Sequence, residues 1–206
     1  MNYIILYMQI QFGDIIISMD KEKTLLRKKM KTAMTEFEKS YVIDSNFKIV
    51  DNIIESDLYK NAHTVFTFIP MDHEIDIRPI ITDALNRGKT VSGPKCFKDR
   101  HMQARKIKSF DDVVPGPMKI PEPKDSCPII SKEKIDLVLV PCLAANKEGY
   151  RLGYGAGYYD RYLKDYIGST ILLCREEQLI KHLPVESHDI KTDYYVTEKG
   201  LFPTAP

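Results

Sequence analysis

Residues 64–92 read TVFTFIPMDHEIDIRPIITDALNRGKTVS, and this stretch decides the fold class. Residues 64–70 combine β-branched and aromatic side chains, which predicts a strand. A helix is predicted from Arg78, which is followed by a proline suited to the first turn, to a stop at Gly88. Residues 89–92 predict the next strand. Strand, helix and strand in this order make a βαβ unit and predict a parallel sheet.

The sheet is expected to continue on the C-terminal side of this unit. Residues 135–140 form a nearly continuous apolar run, which is typical of a strand buried on both faces. Further strands are predicted over 169–174 and 194–197. The periodicity of apolar residues predicts helices over about 20–39, 46–60, 158–167 and 176–182. We therefore predict one α/β domain over about 20–200.

Composition and charge argue against a disordered chain and against a membrane protein. The 206 residues are 43% hydrophobic and 29% charged, which is ordinary for a globular protein. A net charge of +1 gives no bulk reason to expect nucleic acid or anionic lipid as a partner, so any anion site must be local. The four cysteines are far apart and form no CxxC pair, which predicts reduced thiols in a cytoplasmic protein: Cys96, Cys127, Cys142 and Cys174.

Residues 1–18 are apolar, but they make a poor targeting signal. No basic residue precedes the apolar run, and Gln9, Gln11 and Asp14 interrupt it. The run is also too interrupted for a membrane span. We interpret these residues as an N-terminal extension without an assigned role, followed by a domain over 19–206.

A glycine-rich segment, Arg151-Leu152-Gly153-Tyr154-Gly155-Ala156-Gly157-Tyr158-Tyr159-Asp160-Arg161, follows the third predicted strand. Glycines at alternate positions allow tight turns and close approach of a ligand. The segment is no P-loop, because Gly157 is not followed by Lys-Ser/Thr, and its GxGxG spacing is not that of a Rossmann fingerprint. A glycine turn without a ligand is the alternative. Arg151 before it and Asp160 after it favour a phosphate and metal site.

A charged amphipathic helix near the N-terminus offers further cations. The simplest interpretation of its basic residues is that they form the solvent-exposed face of the helix. Lys23 and Arg27, however, stand at positions i and i+4, so both side chains can reach one ligand.

The glycine-rich segment and its surroundings resemble a known family. Residues 151–161, preceded by a strand that ends in proline, are similar to the signature of the 5-formyltetrahydrofolate cyclo-ligases, also called methenyltetrahydrofolate synthetases. Further segments agree in the same order, namely 23–27, 69–76, 120–123 and 188–193. The resemblance covers nearly everything after Met19, and it implies a single three-layer αβα domain with a mostly parallel central sheet.

The resemblance implies an ATP-dependent conversion of 5-formyltetrahydrofolate to 5,10-methenyltetrahydrofolate with Mg²⁺ as cofactor. In that family the formyl oxygen attacks the γ-phosphate, and N10 of the folate then closes the ring and expels phosphate. Phosphoryl transfer asks the protein mainly for positioning and charge stabilisation, so no Ser-His-Asp or Cys-His nucleophile is needed. ATP and the folate are the expected partners of a cytoplasmic monomer, without nucleic acid or membrane.

The site residues follow from the same resemblance. Catalytic roles are expected for Arg151, Lys23 and Asp160. ATP contacts are expected for Lys23, Arg27, Arg151, Leu152, Gly153, Tyr154, Gly155, Ala156, Gly157, Tyr158 and Tyr159. Folate contacts are expected for Ile69, Glu74, Tyr154 and Tyr158, and Mg²⁺ ligation for Asp160 and Asp193.

Each assignment has a plainer alternative. Asp160 could stabilise a helix start, Asp193 could be a surface carboxylate, and Glu74 could cap the helix that follows it. The tyrosines could be core residues. The histidines share no spacing, so no histidine ligand is expected.

The chain also departs from the family pattern. Cys142, Ala145 and Asn146 stand where the family commonly has Gly, Phe and Asp, and Met118 stands where some members have an aromatic residue. These changes concern the folate pocket more than the phosphate site. Two other hypotheses stay open, namely a non-catalytic relative that binds nucleotide or folate and an enzyme that uses a related scaffold on a phosphorylated sugar.

Overall fold

The computed structural model describes residues 2–205, with side-chain surroundings for all of these except 2–18 and Met118. Of the predicted extension, only the backbone of 2–18 is therefore described. The helices are α1 (Asn2–Glu36), α2 (Lys39–Ile54), α3 (Asp57–Asn61), α4 (Arg78–Asn86) and α5 (Tyr158–Leu163). The strands are β1 (Thr64–Thr67), β2 (Thr90–Cys96), β3 (Met102–Ile107), β4 (Val113–Pro115), β5 (Pro121–Pro123), β6 (Ile129–Ile130), β7 (Leu137–Val140), β8 (Ala144–Ala145), β9 (Arg151–Leu152), β10 (Ser169–Leu173), β11 (Tyr194–Thr197) and β12 (Gly200–Pro203).

Within residues 2–205, eight strands form the central sheet in the order β12-β11-β10-β7-β1-β2-β3-β6. The five inner strands from β11 to β2 pair in parallel. The outer strands β12, β3 and β6 each pair in antiparallel orientation with the next strand inward, namely β11, β2 and β3. The predicted α/β class with a mostly parallel sheet is thus confirmed.

The sheet is covered on both faces because its central strands carry apolar side chains on both sides. In β7, Leu137 and Leu139 face a core shared with α2, α3 and α4. Val138 and Val140 face a second core that contains Leu163 of α5. These two cores make the layers of an αβα arrangement.

Several element boundaries differ from the sequence prediction. The expected helix over 46–60 is two helices, because Ser56 caps α3 by accepting a hydrogen bond from the Tyr59 N–H. Helix α5 ends at Leu163, and Asp165 beyond it has a φ of 61°. Only a 3₁₀ turn forms within the expected helix at 176–182. The α1 helix is longer than expected and runs back to Asn2.

In the described part of the chain, no helix is both long and apolar enough to cross a membrane.

The strand order places a crevice between β1 and β7. After β1 the chain continues to β2 on one side, whereas β7 lies on the other side of β1 and leads on to β10 and β11. Helices α4 and α5 follow β1 and β7 and pack on opposite faces of the sheet. In open α/β sheets ligands bind at such a switch point, outside the carboxyl ends of the strands. The loops after β1 and β7 are therefore the expected place for a ligand.

Candidate functional site

The loop after β7 carries the glycine segment. A short hairpin positions it, because β9 pairs with β8 and holds Leu152 and Ala144 in the core. Gly155 and Gly157 then adopt φ values of 107° and 68°, which L side chains rarely adopt. The glycines at these two positions are therefore required by the backbone. Leu152 itself is buried, and its carbonyl accepts from the Leu143 N–H at 2.8 Å within the hairpin.

Arg151 and Asp160 bracket the glycine loop and contact each other. The Arg151 Nη2 lies 2.7 Å from Oδ1 of Asp160, and its Nη1 donates to the carbonyl of Ile190. The Ile190 N–H donates in turn to the same Asp160 oxygen, at 3.1 Å. The segment around Ile190 is thereby fixed beside the loop.

Helix α1 lies along the other side of the loop. It is held there by Met30, which packs with Leu143 and Leu152. The Arg27 Nε donates to the carbonyl of Gly153 at 3.0 Å. Of the predicted i, i+4 pair on α1, Arg27 therefore contacts the glycine loop directly.

Lys23 is buried and bound by two carboxylates of the segment that precedes Ile190. Its Nζ lies 2.6 Å from Oε2 of Glu186 and 2.7 Å from Oδ2 of Asp189. Burial alone would lower the pKa of Lys23, but the hydrogen bonds to Asp189 and Glu186 outweigh it and raise the pKa above its ordinary value. Lys23 therefore carries its positive charge at neutral pH.

The loop after β1 meets the glycine loop across the crevice. The Tyr154 hydroxyl donates to Oε1 of Glu74 at 3.1 Å and lies 2.9 Å from Nε2 of His73. The other Glu74 oxygen accepts from the Met71 N–H at 2.9 Å. Burial raises the pKa of Glu74, and the hydrogen bonds from Met71 and Tyr154 offset part of that rise. Burial and the neighbouring Glu74 raise the pKa of Tyr154, which keeps its hydroxyl protonated as a donor.

Three further residues that were predicted to contact the folate or the nucleotide pack against other parts of the protein. Ile69 is buried over Gly93, where an added Cβ would come within 3.1 Å of the Ile69 Cδ1. The Tyr158 hydroxyl donates to the Phe97 carbonyl at 2.9 Å. Tyr159 packs beside Phe66, and its hydroxyl is buried without a hydrogen-bond partner among the described residues. Both tyrosines thus contribute to the second core, and the Tyr159 hydroxyl keeps a free hydrogen-bonding capacity.

Asp193 does not join the carboxylates around the glycine loop. Its Oδ2 accepts from the backbone and the hydroxyl of Thr170, at 2.9 and 2.6 Å. This places Asp193 at the amino end of β11, whereas the loops of the crevice leave the carboxyl ends of their strands. Among the described residues, no side chain predicted to bind phosphate contacts it.

Asp189 and Glu186 contact Lys23 in the structure, and the sequence reasoning assigned neither of them a role. Within the segment 188–193 it assigned a role to the last aspartate and none to the first. Glu186, His188 and Asp189 bring ligand atoms within 4.8 Å of one another. The pairing with Lys23 spans more than 160 positions, and no local pattern signals a contact at that separation.

An open cleft of about 510 Å³ lies apart from these residues, between α5 and the β3–β6 edge of the sheet. Arg161 and Tyr162 line one side of it, and it contains none of the predicted site residues. The candidate site is thus defined by converging side chains and backbone.

Together, the doubly covered sheet, the glycine loop and the converging Lys, Arg and Asp side chains define an α/β protein with a site suited to a phosphorylated ligand. A family model described as the 5-formyltetrahydrofolate cyclo-ligase family matches residues 19–198. The chain belongs to this family and is an enzyme of the ligase class.

Named relatives agree along most of the chain. A 5-formyltetrahydrofolate cyclo-ligase of Mus musculus is 27% identical over 88% of this chain and 96% of its own length. The Escherichia coli (strain K12) protein of the same name is 32% identical over 68% of this chain and 81% of its own length. The solved structure of Aquifex aeolicus 5,10-methenyltetrahydrofolate synthetase superposes with a TM-score of 0.77 at 29% identity, covering 89% of this chain and 93% of that one.

Proposed function

We propose that this enzyme converts 5-formyltetrahydrofolate and ATP to 5,10-methenyltetrahydrofolate, ADP and phosphate, in a reaction that depends on Mg²⁺. The observation that carries the proposal is the meeting of two residue sets at one crevice. Arg27 contacts the glycine loop, Arg151 pairs with Asp160 at its two ends, and Lys23 contacts the adjoining segment at Asp189. Tyr154 of the same loop contacts Glu74 from across the switch point.

The phosphate half of the site follows from charge and geometry. Arg151 lies beside the loop with its guanidinium held by Asp160 and the Ile190 carbonyl, and Arg27 holds the Gly153 carbonyl. The left-handed turns at Gly155 and Gly157 would let the backbone approach the phosphates closely. Charge stabilisation by such donors is the main demand of phosphoryl transfer. We assign the ATP phosphates to this side of the crevice.

The residues present also suit a magnesium ion, which prefers carboxylate oxygens and phosphates as ligands. Asp160 and Asp189 would hold it. The hydrogen bond from the Ile190 N–H to Asp160 fixes the segment that carries Asp189 beside the segment that carries Asp160. This assignment replaces Asp193, whose carboxylate is bound to Thr170. When bound, Mg²⁺ would neutralise charge on the transferred phosphoryl group.

The folate half is assigned to the Glu74 and Tyr154 side, with Ile69 as an apolar wall. Glu74 and the Tyr154 hydroxyl would orient the pteridine so that its formyl oxygen faces the γ-phosphate. Phosphorylation of that oxygen creates a leaving group at the formyl carbon. Attack by N10 then forms the new C–N bond and releases phosphate. The protein's part is to align these atoms and to exclude water.

The test is the absorbance of the methenyl product after the protein is mixed with 5-formyltetrahydrofolate and Mg-ATP. Product should form with all three present and should not form when ATP is omitted. Absence of ATP-dependent product, together with measurable binding of ATP or folate, would instead support the non-catalytic relative. Product formation without ATP would contradict the proposed mechanism.

A further inference from the structure

The ion cluster around Lys23 contains more acidic than basic side chains, which is unusual for a site that binds phosphate. One buried ammonium faces two carboxylates, with side chains that are 7% exposed for Lys23, 17% for Glu186 and 13% for Asp189. The cluster therefore carries a net negative charge, and His188 adds a positive charge only when protonated, at 3.8 Å from both acids. Such a cluster repels a triphosphate.

Lys23 cannot serve a phosphate fully in this arrangement. Two of its three N–H donors are directed to Glu186 and Asp189 at short distances. A phosphate that approaches Lys23 also approaches both acids, in surroundings where charges are weakly screened. A metal-free nucleotide at Lys23 would thus meet the negative charge of both acids.

The two acids differ in how they are held. Asp189 is tied to the loop, because its Oδ2 also accepts from the Glu186 N–H at 2.8 Å and its own N–H donates to the Glu186 carbonyl. The carboxylate of Glu186 has no described hydrogen bond other than that from Lys23. Glu186 is therefore the member that can change its partner without disturbing the loop.

We propose that Glu186 is a positioning residue that, with Asp189, holds Lys23 in the free protein and makes nucleotide binding conditional on a divalent cation. In the presence of Mg²⁺ the acids exchange Lys23 for the cation, and the ammonium becomes available to phosphate. Binding of metal-free ATP is opposed by both acids. This inference rests on the proposed function, since it assumes that ATP phosphates bind at this loop.

The experiment compares ATP binding with Mg²⁺ and with EDTA, by titration calorimetry without folate so that no turnover occurs. The proteins are wild type, Glu186→Gln and the control Glu177→Gln, which removes an exposed carboxylate elsewhere. We expect Glu186→Gln to bind metal-free ATP about tenfold more tightly than wild type. The ratio of the two affinities should shrink accordingly, while the control keeps the wild-type ratio.

Glu186→Asp keeps the charge and should keep the wild-type dependence on Mg²⁺, whereas Glu186→Ala also removes the charge and replaces Glu186→Gln if that variant fails to fold. An unchanged ratio in Glu186→Gln, or an equal loss of affinity in both conditions, would overturn the proposal. If wild type binds no ATP even with Mg²⁺, the proposed function itself is wrong. The two failures are therefore distinguishable.

Discussion

Arg151 and Asp160 contact each other across the glycine loop, with Nη2 of the arginine 2.7 Å from Oδ1 of the aspartate. The Arg151 side chain is 4% exposed and that of Asp160 is 25% exposed. The same carboxylate oxygen fixes the backbone of Ile190. One carboxylate thus orders the loop, the arginine and the segment that carries Asp189.

The first prediction separates the charge of Asp160 from its hydrogen bonding. Asp160→Asn keeps an oxygen that can accept from Arg151 and Ile190, so the fold should be retained. Turnover should fall by roughly 100-fold or more, as for the loss of one charge-stabilising contact. Asp160→Ala should in addition lower the free energy of unfolding by about 1.5–3 kcal/mol. Near-normal turnover of Asp160→Asn in the absorbance assay would refute its metal role.

The second prediction concerns the pH dependence of folate binding. The pKa of Glu74 is raised by burial, and the hydrogen bond from Tyr154 lowers it. Tyr154→Phe removes the lowering contribution, so the pKa of Glu74 should rise further. If ionised Glu74 binds the folate, the acid limb of kcat/KM should move to higher pH in Tyr154→Phe. Glu74→Gln should abolish that limb, and an unshifted profile in Tyr154→Phe would contradict the assignment.

The third prediction tests the glycine turn. Gly155 has a φ of 107°, whereas an alanine at Gly153 would meet no atom within 4 Å. Gly155→Ala should lower the free energy of unfolding by roughly 1–3 kcal/mol because of backbone strain. Gly153→Ala is the matched control and should be close to neutral. Thermal denaturation without ligand measures both, and equal stability of the two variants would show that the strain argument is wrong.

The fourth prediction distinguishes the two aspartates of the C-terminal segment. Asp189→Asn should impair turnover strongly, because Asp189 lies beside Lys23 at the site. Asp193→Asn should keep turnover and lower stability by about 1 kcal/mol or less, through its weaker hydrogen bonds to Thr170. Steady-state kinetics and denaturation of both variants provide the measurement. The reverse pattern would restore Asp193 as the metal ligand.

The fifth prediction addresses residues 1–18. A protein that starts at Met19 keeps every side chain assigned to the site, and the family match also begins there. Its kcat/KM for both substrates should equal that of the full chain in the same assay. A marked loss of ATP affinity would show that the first turns of α1 contribute to the site.

The sequence by itself determined the class of fold, and it nominated the residues of the candidate site that stand in local patterns. Continuous apolar runs such as 135–140 and the helix between two strands at 64–92 are local patterns, and they imply a buried parallel sheet. Lys23 and Arg27 were proposed from an i, i+4 spacing, and Arg151 and Asp160 from their positions around the glycine segment, and the resemblance to the family supported all four. Local spacing is sufficient where neighbouring residues act together.

Only the tertiary structure decided which carboxylates contact Lys23. The segment 186–193 is irregular, so no period indicates which of its side chains points toward the loop. The contacts of Lys23 with Glu186 and Asp189, and of Asp193 with Thr170, depend on how distant segments pack. The switch point between β1 and β7, which joins Glu74 to Tyr154, likewise follows from strand order in the folded sheet.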